Sequence, residues 1–298
     1  MSVLSMRDLS VEYRTTGGDV PAVRGVDLEV DRGEVLGLAG ESGCGKSTIA
    51  GAILRLLPAK TKITGRIELD GNDILELTPG KLRAVRWTAG SIVFQGAMHA
   101  MNPVQRIGEQ IMEPILVHGQ SGEREARMRA GTLLEQVGLP TRRLDDYPHE
   151  LSGGQKQRIM IAMALACSPS LIALLFITHD LSVLVEVADR LAIMYAGKIV
   201  EQGDAEAVFH SPAHPYTKAL AAAFPAIGDM RFRGHPSGLG GDPPDPQQIP
   251  SGCPFHPRCA EVTPACSSVT PDLWTAGPAR LAACVHVSGA PALEGVSR

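Results

Sequence analysis

Short stretches with alternating apolar and polar residues mark the first part of the chain as strand-forming. "LSVEYR" (residues 9–14) and "VRGVDLEV" (residues 23–30) place apolar side chains at every second position, with glycine-containing turns nearby. "GRIELDGNDI" (residues 65–74) has the same pattern around Asp70-Gly71, which is typical of a two-residue hairpin turn. "LAIMYAGKIVEQG" (residues 191–203) predicts another strand pair. These patterns predict a β-rich beginning and a second strand pair after residue 190.

Longer stretches with helical spacing separate two short, continuously apolar strands, "EVLGLAG" (residues 34–40) and "GSIVFQ" (residues 90–95). "KSTIAGAILRLL" predicts a helix from Lys46 to Leu57, closed by Pro58. The pattern is helical again from Val104 to Gly138 and in "LSGGQKQRIMIAMALAC" (residues 151–167). Buried strands that alternate with helices are typical of an α/β fold around a largely parallel sheet.

Composition and charge narrow the class of protein. The 298 residues are 44% apolar, which is enough for a sizeable core, and the net charge of −4 does not indicate a nucleic-acid partner. No signal peptide is predicted at the start. The longest apolar runs, Ile159–Cys167 and Leu171–Ile177, are shorter than the roughly 18 residues that span a bilayer. We therefore expect a cytosolic protein that reaches a membrane only through a partner.

The sequence "GESGCGKS" after the first apolar strand fits the phosphate-loop pattern G-x-x-x-x-G-K-[ST]. Its glycines let successive backbone N–H groups turn towards one anion, and the following helix adds the positive end of its dipole. Lys46 is expected to reach the β- and γ-phosphates of ATP, and Ser47 to bind Mg²⁺. The candidate nucleotide-binding residues here are Gly40, Glu41, Ser42, Gly43, Cys44, Gly45, Lys46, Ser47 and Thr48.

Three further features follow the phosphate loop in a fixed order. Gln95 ends an apolar strand, "ELSGGQKQR" (residues 150–158) places a glycine pair before a helix, and His179 ends the apolar run "FITH". This order resembles the ATP-binding domain of ABC transporters over about residues 1–220. The resemblance implies a P-loop NTPase fold of the ABC type with a helical subdomain, and a small cysteine-containing C-terminal extension.

In that family two domains pair head to tail and hold ATP between the phosphate loop of one and the LSGGQ segment of the other. The resemblance implies that Tyr13 stacks on adenine and that His179 contacts the γ-phosphate. Gln95 is expected to sense Mg²⁺ and the attacking water. The residues presented to the ATP of the partner are Ser152, Gly153, Gly154 and Gln155.

Three later segments resemble dipeptide and oligopeptide importers in particular: "FQGAMHAMNPVQRIGEQIMEPI", "FHSPAHPYTKALAAAFP" and "GCPFHPRCAEVTPAC…AACVH". The chain thus resembles the D-type ATP-binding subunit of such an importer. The resemblance implies a second ATPase subunit or a second copy, two membrane permeases and, indirectly, an extracytoplasmic peptide-binding protein. It also implies a peripheral location on the cytoplasmic face of the cell membrane. We expect an ATP-binding domain over residues 1–205, with the helical subdomain at about 96–158, and an extension over 206–298.

One expected piece is missing. Family members carry a strand that ends in the Walker B Asp and the catalytic Glu, followed by a loop and a helix. Here "SPSLIALLFITHDL" (residues 168–181) runs from the start of one such strand into the end of the next, with the gap at about 172–173. Parallel neighbours need a crossover of about a dozen residues, and this length is absent. Asp180 could take a Walker B position if the run slid along the sheet, or it could cap the following helix.

Four interpretations remain open from the residues alone. The chain could be a working transport ATPase whose recorded sequence contains an error, or a hydrolysis-deficient subunit that binds ATP and provides its LSGGQ segment to a partner ATPase. It could also be the product of a decayed gene, or a soluble ABC ATPase with no role in transport. The importer-like tail argues against the last of these.

Four of the six cysteines, Cys253, Cys259, Cys266 and Cys284, lie in the last 46 residues. In a reducing compartment such a group is more often metal-binding than disulfide-bonded. Four thiolates suit Zn²⁺ or an iron–sulfur cluster, and His256 or His286 could replace a cysteine in a zinc site. The resemblance to importer tails favours a structural [4Fe–4S] cluster.

Overall fold

The computed structural model describes residues 2–93, 101–119, 121–174, 184–223 and 239–291. The chain divides into two compact units: the first comprises residues 1–52, 56–67 and 178–298, and the second comprises residues 53–55 and 68–177. The expected domain boundary at residue 205 stays a prediction.

The strands are β1 (Ser2–Thr15), β2 (Gly18–Asp31), β3 (Leu36–Ala39), β4 (Lys62–Leu69), β5 (Asn72–Asp73), β6 (Gly90–Val93), β7 (Leu171–Leu174), β8 (Arg190–Tyr195), β9 (Lys198–Asp204), β10 (Trp274–Gly277) and β11 (Arg280–Ala282). The helices are α1 (Lys46–Ile53), α2 (Pro79–Val85), α3 (Ile107–Val117), α4 (Glu123–Gln136), α5 (Gly153–Ala164), α6 (Ala205–His210) and α7 (Pro215–Ala223).

In the first unit, β1 and β2 form a long antiparallel ribbon with pairs from Ser2↔Asp31 to Thr15↔Gly18. The alternation seen in the sequence buries apolar side chains on one face, with Leu9, Val11 and Val23 at 0% exposure. The strands expected at residues 9–14 and 23–30 are therefore confirmed.

The second sheet of this unit has the order β10-β11-β9-β8-β3. β3 pairs in parallel with β8, whereas β8 with β9, β9 with β11, and β11 with β10 are antiparallel. Ala196 and Gly197 form the turn between β8 and β9, with φ angles of 46° and 81°. Positive φ at both positions matches the right-handed twist of a hairpin.

In the second unit, β6 and β7 form a parallel pair with Gly90 opposite Leu171 and Val93 opposite Leu174. The end of β4 pairs with β5 around the predicted turn, where Asp70 and Gly71 have φ angles of 49° and 77°. The helices α3, α4 and α5 enclose a separate core that includes Ile107, Ile111, Leu133, Leu134 and Ile159, all 0% exposed.

One helix prediction needs correction. The helix that begins at Lys46 ends at Ile53 and not at Leu57, because Arg55 takes a left-handed φ of 48° and the N–H of Leu56 bonds back to the Gly51 carbonyl. A hydrogen bond from an N–H to the carbonyl five residues earlier is typical of a helix C-terminus. The stretch between Val104 and Gly138 with helical spacing consists of two helices, α3 and α4.

Among the described residues, no helix has both the length and the apolar character needed to cross a membrane.

Candidate nucleotide site

The phosphate loop connects the end of β3 at Ala39 to the start of α1 at Lys46. Its glycines are required by close contacts. A Cβ on Gly40, whose φ is 147°, would lie 2.1 Å from the carbonyl oxygen of Met194. A Cβ on Gly45, whose φ is 114°, would lie 2.4 Å from the carbonyl oxygen of Ala22. The loop therefore fits against β8 and β2 only with hydrogen at both positions.

Lys46 is the first residue of α1 and its ammonium lies over the loop. Nζ donates to the carbonyl oxygens of Gly40 at 2.7 Å and Glu41 at 2.9 Å, and it lies 3.3 Å from the sulfur of Cys44. Burial raises the pKa of the Cys44 thiol, and the nearby ammonium offsets part of this rise. The arrangement places one positive charge at the helix N-terminus, as a phosphate site requires.

The loop has both exposed and buried members. Ser42, Gly43 and Ser47 are exposed, which leaves the Ser47 hydroxyl accessible in the first turn of α1. Cys44 is buried, and its carbonyl oxygen accepts a hydrogen bond from the N–H of Gly197 at 3.0 Å. The turn between β8 and β9 thus holds the middle of the loop in place.

Tyr13 lies beside this site rather than on a plain sheet surface. It is half-buried on β1, and its hydroxyl oxygen is 3.1 Å from the hydroxyl oxygen of Thr48 on α1. The structure thus brings the aromatic ring to the start of the phosphate-loop helix. Its stacking on adenine stays a prediction.

The LSGGQ segment forms the N-terminus of α5 in the second unit. Ser152 is the N-cap: its hydroxyl accepts the N–H of Gln155 at 3.4 Å, and the side chain of Gln155 accepts the N–H of Ser152 at 2.9 Å. This reciprocal pair satisfies two of the free donors of the first turn. Ser152, Gly153 and Gly154 are exposed, and a Cβ on Gly154 would meet nothing within 4 Å. The turn is therefore accessible to a ligand from outside this chain.

Gln95, His179 and Asp180 lie outside the described residues. β6 ends at Val93, two positions before Gln95, and β7 ends at Leu174, five positions before His179. The roles of all three residues stay predictions.

At the expected gap, Leu171–Leu174 form β7, which lies beside β6. No Asp or Glu occurs in the sequence between Glu150 and Asp180. Within the described ranges, β3 ends its sheet and pairs only with β8. Leu36 and Leu38 of β3 are partly exposed, which is unusual for a strand that precedes a phosphate loop in a doubly covered sheet.

The four tail cysteines line one cavity together with His214, His256 and His286. Burial raises the pKa of the thiols of Cys253 and Cys259, and it raises the pKa of Cys284 to about 11, with the neighbouring thiols adding to the effect. In the described part of the chain, no group of three or more His, Cys, Asp or Glu side chains has the arrangement of a metal site. The structure therefore groups the thiols without showing a formed metal centre. We call residues 253–284 the cysteine segment.

The segment "AHPYT" connects the extension with the phosphate loop, which the sequence did not reveal. Glu201 of β9 is fully buried and accepts the N–H groups of Ala213 and His214 at 2.8 and 2.9 Å. Burial lowers the pKa of His214 to about 3, so this imidazole is neutral, and its Nδ1 accepts the N–H of Tyr216 at 3.0 Å. Tyr216 in turn accepts the N–H of Glu41 at 2.9 Å.

Comparisons with solved structures place this fold among ATP-binding cassettes. The dimeric cassette MJ0796, described in a post-hydrolysis state bound to ADP and Pi, has a TM-score of 0.60 at 24% identity over 68% of this chain and 98% of that one. A second structure, CbiO1 of the cbiONQ complex from Clostridium perfringens, has a TM-score of 0.57 at 23% identity over 70% of this chain and 91% of that one. At this identity the likeness shows the fold, which is that of a P-loop ATPase cassette.

Sequence comparisons then give the family. The family model described as "ABC transporter" matches residues 23–174, and the model "Oligopeptide/dipeptide transporter, C-terminal region" matches residues 200–266. The chain is 37% identical to the oligopeptide transport ATP-binding protein OppD of Escherichia coli, covering 95% of this chain and 93% of that one. It is 38% identical to the dipeptide transport ATP-binding protein DppD of Bacillus subtilis, over 90% of each. The chain belongs to the ABC transporter family, among the ATP-binding subunits of the oligopeptide/dipeptide transporters.

Proposed function

We propose that this chain is a nucleotide-binding subunit of a peptide importer that binds ATP but hydrolyses it poorly at its own site. The observation that carries the proposal is a complete phosphate loop in a chain with no carboxylate between Glu150 and Asp180. The loop retains the glycines and the ammonium that bind phosphates. The Walker B Asp, which normally helps to hold Mg²⁺, and the Glu, which would polarise the attacking water, have no counterpart between Glu150 and Asp180.

Two features of the comparisons support a gap relative to the family. The match to the ABC transporter model ends at residue 174, inside the apolar run. The alignment with OppD of Escherichia coli extends over 318 residues, which is more than the 298 of this chain, so the relative has residues that this chain lacks. A hydrolysis-deficient subunit would still contribute Ser152, Gly153, Gly154 and Gln155 to a site whose phosphate loop belongs to a partner.

The proposed assembly follows the family. This chain would pair with a second ATP-binding subunit or a second copy, and dock on two membrane permeases at the cytoplasmic face of the membrane. An extracytoplasmic peptide-binding protein would deliver the substrate to the permeases. OppD and DppD are named for oligopeptide and dipeptide transport, and this supports a peptide as the cargo here.

Nucleotide binding is expected to persist without hydrolysis, and Mg²⁺ is expected to strengthen it less than in a complete cassette. The loop does not need the missing segment, whereas Mg²⁺ coordination loses one contributor. Calorimetric titration of the purified chain with ATP, with and without Mg²⁺, measures both effects. Lys46→Ala is the control and should abolish binding. A Mg²⁺ enhancement as large as that of a relative with the acidic pair would contradict the expectation.

We further propose that Cys253, Cys259, Cys266 and Cys284 hold a structural metal centre, with [4Fe–4S] favoured over Zn²⁺. Four thiols around one cavity supply the donor set of either group. Burial and neighbouring thiols raise the pKa of Cys253, Cys259 and Cys284, and a bound cation would reverse this by replacing the protons. No electron path to the nucleotide is evident in the described residues, so the role assigned is structural.

Protein purified without oxygen should be brown and should contain iron and sulfide in amounts that match one cluster. Each Cys→Ser change should remove the colour and make the cysteine segment more sensitive to protease. One equivalent of zinc in colourless protein would overturn the iron assignment and keep the four-ligand site. Metal-free protein with an equally resistant segment would overturn both.

A further inference from the structure

The second residue of the phosphate loop, Glu41, is held by residues from distant parts of the chain. Its carboxylate accepts two hydrogen bonds from Arg258, with Nη1 to Oε2 at 2.8 Å and Nη2 to Oε1 at 3.0 Å. Its N–H donates to the hydroxyl oxygen of Tyr216 at 2.9 Å, and its carbonyl oxygen accepts from Lys46 at 2.9 Å. Any movement of Glu41 would therefore also affect the ammonium that is expected to bind phosphate.

The ion pair between Arg258 and Glu41 is well shielded from water. The Arg258 side chain is 8% exposed and the Glu41 side chain is 21% exposed. Two parallel hydrogen bonds between a guanidinium and a carboxylate fix both position and orientation. The pair therefore restrains Glu41 more strongly than a surface salt bridge would.

The position of Arg258 depends on the fold of the cysteine segment. The residue ends a short 3-10 turn, His256–Arg258, immediately before Cys259. Its Nε donates to the carbonyl oxygen of Gly240 at 2.9 Å, and its Nη1 donates to the hydroxyl oxygen of Tyr195 at 3.3 Å. A change in the backbone position of Cys259 would thus also move Arg258, to which it is directly bonded.

Three packed aromatic rings lie next to the ion pair between Arg258 and Glu41. The rings of Tyr195, Tyr216 and Phe255 have centroids 4.6 to 5.3 Å apart, and each is at most 2% exposed. The guanidinium carbon of Arg258 lies 5.9 Å from the ring centroids of both Tyr195 and Phe255. Phe255 follows Cys253 by two residues, so the cysteine segment packs directly on the residues that hold Glu41.

The negative charge of Glu41 makes its ion pair with Arg258 relevant to nucleotide binding. Glu41 places a carboxylate in a loop that is built to bind an anion, and a like charge near phosphate weakens the attraction. The guanidinium of Arg258 compensates that carboxylate. Loss of Arg258 would leave a negative charge in the loop and would also release its backbone.

We propose that Arg258 is a positioning residue for the phosphate loop, through which the cysteine segment sets the affinity of this site for nucleotide. The inference goes beyond the proposed function but rests on nucleotide binding by the loop. The alternative is that the ion pair only anchors the extension. Lys218 and Glu261 form another ion pair of 2.8 Å between α7 and the cysteine segment, exposed and without a contact to the loop, and they provide the matched control.

The test uses the full-length chain and the variants Arg258→Ala, Arg258→Lys, Glu41→Gln, the double variant Glu41→Gln/Arg258→Ala, and Lys218→Ala. ATP affinity is measured by calorimetry, and amide hydrogen exchange of residues 40–46 is measured without nucleotide. Arg258→Ala should weaken ATP binding about tenfold or more and speed exchange in the loop, because a charge-assisted bidentate contact is lost. Arg258→Lys should restore part of both effects, and Lys218→Ala should change neither.

The double variant separates positioning through Glu41 from a general effect on the fold. On a logarithmic scale, its change in ATP affinity should differ from the sum of the changes in the two single variants, because both substitutions remove the same contact. Unchanged affinity and unchanged loop exchange in Arg258→Ala would overturn the proposal, as would strict additivity. If Arg258→Ala fails to fold, wild-type values in both Arg258→Lys and Glu41→Gln would overturn it. If the wild-type chain binds no ATP, the proposed function fails, and loop exchange alone decides the positioning role.

Discussion

The purified chain is expected to release phosphate from ATP about a hundredfold to ten-thousandfold more slowly than a cassette with a general base, since this is the usual effect of losing one. The run from Leu171 to Leu174 forms β7 beside β6 and carries only apolar side chains. The nearest acids in the sequence are Glu150 and Asp180, neither of which lies in this strand. No carboxylate of β7 is therefore available to polarise water.

The measurement is steady-state phosphate release by the chain alone at saturating ATP and Mg²⁺, with Lys46→Ala as the control. Both proteins should give the same low rate. A rate well above background that Lys46→Ala abolishes would refute the expectation and would point to a substitute base. Asp180 is then the first residue to change, as Asp180→Asn. The encoding DNA across Pro169–Thr178 supplies an independent check, because a restored acidic pair there would return the chain to the working ATPases.

Local features of the sequence predicted the phosphate loop and the helix N-terminus at Ser152 well. Both depend on neighbours in the chain: a strand, glycines with forced φ angles and a helix in one case, a capping pair in the other. Gly40 and Gly45 are required by contacts with Met194 and Ala22, yet the motif alone was enough to place the loop. Such sites are predictable because most of their geometry is set within ten residues.

Contacts between distant residues were not predictable in the same way. Glu41 and Arg258 are 217 positions apart, and each alone looks like an ordinary charged residue in a loop. The buried Glu201 was likewise hidden in the strand pattern "KIVEQG", because alternation does not tell which polar residue is buried with partners. The "HPYT" segment was noticed only as a resemblance, and its contact with the phosphate loop needed the fold.

In a mixture with its paired ATPase, the variant Gly153→Asp is expected to lower ATP hydrolysis about tenfold or more. Gly153 is the exposed first residue of α5, in the turn expected to face the γ-phosphate bound by the partner. A carboxylate there would oppose an anion at close range, and like charges in such contacts are strongly unfavourable. The same substitution should not destabilise this chain, because an acidic residue in the first turn interacts favourably with the helix dipole. A loss of activity would then report on the partner's site rather than on folding.

Gly122→Asp is the matched control, since Gly122 is the exposed N-cap of α4 and an added Cβ there meets nothing within 4 Å. It adds the same charge to the same unit and should leave the mixed activity unchanged. Equal activity of the Gly153→Asp mixture and the wild-type mixture would rule out a contribution of this LSGGQ segment to catalysis.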